Sequence, residues 1–172
     1  MSERIDFDVN DEDLRREFLR EVLPRAIASL ESHTPSRWGG MTAQQMVEHL
    51  TWAFDLSTGT RQVECPYTED KRARLKAFLY DNRPSPQDFM NPALVGGLPP
   101  LQHPAMPEAR AALLASVRRF LDPPEEGSGV RHMHPIFGPL DRDEWSRTHF
   151  KHGVHHLSQF GLVARRDDDP AP

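Results

Sequence analysis

The sequence predicts an all-α protein, a four-helix bundle with a long crossover between helices 2 and 3. Three observations carry that expectation. Four segments repeat apolar residues at helical spacing, and no segment alternates convincingly as a half-buried strand would. Several of those segments open on recognisable caps. The prolines, 16 in all, cluster between positions 66 and 139 and place long loops in the middle of the chain. A length of 172 residues suits a single domain spanning 1–172.

Residues 1–10 read as a lead-in. The first helix is expected from Asn10 or Asp11, where Asp11, Glu12 and Asp13 suit a helix N-terminus. Leu14, Phe18, Val22, Ile27 and Leu30 form its stripe. Pro24 interrupts that stripe, by a kink or by starting a second short helix, and the kink is preferred. The segment HTPSRWGG is a connector, with Trp38 as its anchor. Thr42 and Gln45 then form a capping box, flanked by Met41 and Met46 as a staple. The second helix follows over 43–56. Its stripe is Met46, Leu50 and Ala53, with His49 inside it, while Glu48 and Asp55 point elsewhere.

Residues 57–104 read as an elaborated crossover wrapping one side of the bundle, with a short helix over 71–80 and an exposed His103. The third helix is expected over 107–122, from Pro107 at its first position to the Pro123–Pro124 stop. The stretch 130–140 is apolar and leads into the fourth helix. Asp141 and Glu144 cap that helix, expected over 142–163. Residues 164–172 read as a flexible tail.

Composition narrows the function. The net charge is −5 with no basic run, which argues against nucleic acid as a partner. No apolar stretch approaches the ~20 residues a bilayer span needs. The N-terminus is acidic and lacks an apolar signal core. The single Cys65 has no internal disulfide partner. A cytoplasmic location is the expectation.

The fourth helix is unusual in His149–Phe160, HFKHGVHHLSQF, which holds four of the nine histidines. At ~100° per residue, His149 and His156 lie within ~60° of His152, with Trp145 and Gln159 on the same stripe. His155 falls on the shoulder. His152 and His156, one turn apart, have the spacing that lets two imidazoles chelate one ion. The third ligand must come from elsewhere, and His49 is the one histidine on the apolar stripe of another helix. His49, His152 and His156 are therefore the candidate ligands of a divalent metal. Imidazole suits zinc, nickel, copper and iron. Three protein ligands leave a coordination position open, as in reactive zinc sites. Such a metal lowers the pKa of bound water or ionises a substrate thiol. Gly153 follows His152, so the pair is not the HExxH of metalloproteases. His149 is the auxiliary catalytic candidate, either a proton shuttle at the mouth of the site or a hydrogen-bonded core residue. Gln159 either supports a ligand or is a buried polar contact. His134 either rims the pocket or is solvated.

The segments RWGGMTAQQMVEHL, HPIFGPLDRDEW and HFKHGVHHLSQF together resemble the DinB/YfiT-like superfamily of metalloenzymes, nearest to a branch that is a domain of unknown function. The resemblance spans most of the chain and is weak over 57–104. It implies a four-helix bundle with a crossover between helices 2 and 3. It implies a metal, zinc or nickel, on His49, His152 and His156. Relatives of that kind include transferases and isomerases that use low-molecular-weight thiols, and bundles that pair as homodimers. A metal-dependent transferase or hydrolase is the leading expectation. A non-catalytic metal- or small-ligand-binding protein of stress response is the alternative.

Overall fold

In the computed structural model, which describes residues 2–87, 89, 91–123 and 129–166, side-chain caps set where the chain turns helical. After a short strand β1 (Glu3–Ile5), the Asp11 carboxylate accepts the Leu14 N–H at 2.9 Å and opens α1 (Glu12–Glu17). The helix runs on through a π-helical turn (Phe18–Val22) into α2 (Leu23–Ser29). Pro24 supplies the reason. It has no N–H for the carbonyl four residues earlier, so the ladder widens and the Leu23 N–H reaches back five residues to the Phe18 carbonyl. Pro24 thus sits in the first turn of a second short helix, as one of the two alternatives had it, and that helix continues from α1 through the π-helical turn without a break.

Thr42 and Gln45 cap each other's backbone N–H at 3.2 and 2.9 Å and start α3 (Ala43–Ser57). Thr68 caps α4 (Glu69–Lys76), which tightens into a 3-10 turn (Ala77–Tyr80). A second 3-10 turn (Pro92–Leu94) precedes α5 (Met106–Leu121), which has Pro107 in its first turn. A hairpin of β2 (His132–His134) and β3 (Gly138–Leu140) leads to α6 (Arg142–Gln159), where Asp141 and Glu144 form the second capping box at 3.0 and 2.9 Å. α6 ends at Gln159, four residues before the expected position 163, and Gly161, at φ +70°, turns the chain into β4 (Val163–Arg165).

The described chain is mostly helical, but strands qualify the all-α expectation. β1 pairs parallel with β4, Glu3 opposite Val163, and β2 pairs antiparallel with β3. Strands of three residues are too short to show an alternating pattern. Residues 164 and 165, expected in a flexible tail, sit in β4, and Arg166 pairs with Asp6 at 2.7 Å; the remainder of that tail lies outside the described residues. No described helix is long and apolar enough to cross a membrane.

Contacts fix the helix directions. Arg15 meets Ser146 and Asp143, and Phe18 meets Phe150, so α1 and α6 run the same way. His49 meets His152 while Phe54 meets His149, so α3 opposes α6. The Gln44 amide reaches the His103 carbonyl ahead of α5, and Asp55 reaches Ser116 within it, so α3 and α5 are parallel. Gly153 leaves room on α6 for Phe18: a Cβ there would stand 2.8 Å from the Phe18 ring.

The chain between α3 and α5 is tied down at several points. Lys151, buried in α6, donates to the carbonyls of Phe78 and Asp81 at 2.8 and 2.6 Å. Burial pushes its amine down to about 8, against the pull of Asp81. Glu48 accepts the N–H groups of Gln102 and His103 at 2.6 and 3.2 Å. His103, expected to be exposed, is therefore half-buried.

Candidate metal centre

His49 is carried on α3 by the same stripe that buries Met46, Leu50 and Ala53. His152 and His156 stand one turn apart on the opposing face of α6. Because the two helices are antiparallel neighbours, the three rings converge. Nε2 of His152 lies 2.9 Å from Nε2 of His49 and 3.0 Å from Nε2 of His156. One ligand atom from each ring can be chosen so that all lie within 4.8 Å of one another. His49 and His156 are buried and His152 is partly open. The geometry thus brings together the three residues chosen from their stripes.

Burial holds all three rings neutral. It pushes His49 down to about 4, helped by His155. His152 is lowered well below its ordinary value by burial and then by His156 and His49. His156 is lowered by burial, His49 and His155, with Gln159 opposing. Gln159 also fixes a tautomer. Its Nε2 donates to the Trp38 carbonyl at 2.8 Å, so its Oε1 faces Nδ1 of His156 at 2.8 Å and accepts that proton. The Nε2 of His156 is then a bare lone pair aimed at His152. A single proton on Nε2 of His152 serves one of its two neighbours, not both. A cation satisfies all three lone pairs at once. With Zn–N distances of 2.0–2.1 Å, two ligands of one ion stand about 3.3 Å apart, so the two His152 contacts would open by a few tenths of an ångström and the His49–His156 separation, within 4.8 Å, would adjust to match.

The auxiliary candidates fall elsewhere. His149 is 1% exposed and lies flat on Phe54, with ring centroids 3.8 Å apart, flanked by Trp145 and Phe120. Neither ring nitrogen has a hydrogen-bond partner among the described residues, so it is not a hydrogen-bonded core histidine, and it stays outside the three-ring group. His134 is buried rather than rimming a pocket or solvated. Its Nδ1 accepts the N–H groups of Ile136 and Phe137 at 3.1 and 3.2 Å and so shapes the β2–β3 turn. Burial pushes it down to about 3. His155 is half-buried, edge-on to Trp38. Cys65 is a half-buried free thiol.

A cavity of about 330 Å³ runs beside this group, between α3 and α5, and residues 94–103 contribute to its lining. His49 is part of its wall. Sequence reasoning passed over this cavity and its polar end at Asp55, Arg61 and Arg119. The available signal was the pair Ala112 and Ala115, small residues on one face of α5 at a spacing of three.

One family model, described as Protein of unknown function (DUF1569), matches residues 9–162. No curated protein and no solved structure matches the chain.

Proposed function

We propose for this chain, which belongs to the DUF1569 family of proteins of unknown function, a divalent-metal site on His49, His152 and His156 that serves a metal-dependent transferase or hydrolase. The observation that carries the reading is the convergence of three neutral imidazoles, one with its tautomer set by Gln159, with no carboxylate in the group. Imidazole-only ligation suits zinc or nickel. When bound, the metal supplies an open position at which water or a thiol loses its proton. The chain's own residues do the rest. His156 is buried, His49 forms part of the cavity wall, Gln159 and the Trp38 carbonyl orient His156, and His152 is the partly open edge of the group.

The finer architecture is a four-helix bundle of α1–α2, α3, α5 and α6 within one domain, with 58–105 as the crossover. Two helices running one way and two the other, with α3 and α5 parallel, support it. So does the resemblance to the DinB/YfiT-like superfamily, which also supports a low-molecular-weight thiol as co-substrate. His149, enclosed by Phe54, Phe120 and Trp145, packs beneath the group and takes no part in this reading. A cavity beside His49 favours a reaction over simple metal storage, because a storage site needs no space for a second molecule.

Cobalt(II) substitution tests this reading. The loaded protein is expected to show visible bands of a nitrogen-ligated, low-symmetry site that shift when a small thiol or azide is added. Bands indifferent to every added ligand would mean a closed, structural site.

A further inference from the structure

The cavity between α3 and α5 is larger than an ion and its water require. At about 330 Å³ it falls in the range of sites for small organic molecules. His49 and Asp55, both on its wall, are six residues apart on α3, hence about 9 Å along the helix axis. Between them the lining is largely apolar; Thr51 is the polar exception on α3, and its hydroxyl is spent on the Val47 carbonyl at 2.9 Å. Trp52 comes from α3, while Ala112 and Ala115 on α5 leave the space open.

The Asp55 end is charged. Nη1 of Arg119 lies 3.3 Å from one Asp55 oxygen, and Nε of Arg61 lies 3.6 Å from the other. The Ser116 hydroxyl donates to the same carboxylate at 2.7 Å. Two guanidiniums against one carboxylate leave one positive charge in surplus. Each guanidinium offers five N–H donors, of which Asp55 occupies few. Glu48, the other acid on the wall, is two turns away, with its oxygens engaged by Gln44, Gln102 and His103. It does not neutralise the arginine end.

We infer that this groove binds an amphipathic monocarboxylate. Its carboxylate pairs with Arg61 and Arg119, its apolar body lies against Trp52, Ala112 and Ala115, and its far end meets His49. A single surplus charge matches a monoanion, and the apolar walls disfavour a strongly hydrated dianion such as phosphate. The inference names the substrate class of the site proposed above, and its orientation rests on that reading.

4-Phenylbutyrate is the probe, with 4-phenylbutan-1-ol as its neutral counterpart, each titrated calorimetrically into the full chain with and without zinc. The acid is expected to bind about tenfold more tightly than the alcohol, as a charge-assisted pair predicts. The R61Q/R119Q double variant is expected to lose that preference. A115L is expected to lose both ligands while keeping the wild-type circular dichroism and zinc content. No binding of the acid to wild type, equal affinity for acid and alcohol, or unchanged binding by A115L would overturn the inference. A chain that takes up zinc but ignores the acid refutes the groove and spares the metal site. A chain that binds the acid but takes up no zinc does the reverse.

Discussion

Acidification of the metal-free protein is expected to unfold it well above the range in which carboxylates titrate. His49 and His134 are buried neutral, pushed from near 6.5 to about 4 and about 3 respectively. The folded-state values are depressed, so the unfolded chain takes up protons first. The stabilisation is whole above pH 6.5 and falls as pH drops toward 4 and 3. At pH 5 each of the two histidines costs roughly 2 kcal/mol, or about 4 kcal/mol together. His149, His152 and His156 are shifted the same way and add to the loss. Against an ordinary stability of about 5–15 kcal/mol, this is a large fraction. Urea titrations followed by circular dichroism, on chelator-treated protein between pH 7.5 and 5, measure it. The unfolding free energy should fall with a slope of at least two protons per chain at the acid end. A midpoint that stays level from pH 7 to pH 5 would refute the placement of these rings as buried and neutral.

Gln159→Leu removes the acceptor of the His156 Nδ1 proton, and metal affinity should drop about 10–100-fold in chelator competition while the fold survives. Gly153→Ala drives a methyl group to 2.8 Å from Phe18, and a loss of about 1–3 kcal/mol is expected in urea melts; an unchanged midpoint would mean that α6 and the first helix are less closely packed than described. Thr42→Ala leaves the Gln45 N–H without its cap and should cost about 1 kcal/mol by the same assay.

Much of the helical layout was legible because local chemistry announces it. The boxes of Thr42 with Gln45 and Asp141 with Glu144 place two helix starts within a residue. The candidate ligands were legible for a related reason: a histidine on an apolar stripe is out of place, and three such positions on two helices restrict the pairing. What escaped depends on partners distant in sequence. Strand β1 exists only because β4 returns beside it, 160 residues later (163 − 3, from the Glu3–Val163 pair). The end of α6 was misjudged because its apolar stripe continues through Val163, whereas Gly161 ends the helix and Val163 is buried in a strand instead. Glu48 lies off the apolar stripe of its helix, and nothing local shows that it caps two N–H groups more than fifty residues away. Gly153, which distinguishes the pair from a protease motif, has a packing reason in Phe18 that no local pattern reveals.

Elemental analysis of the purified chain, wild type beside His152→Ala, tests the central claim most directly. Nε2 of His152 is within 3.0 Å of both other ligand atoms, so its loss dismantles the site. The wild type should carry about one zinc or nickel per chain after exposure to the metal and dialysis, and the variant almost none, with both folded by circular dichroism. Equal, negligible metal in the two proteins would contradict a metal centre at these three histidines.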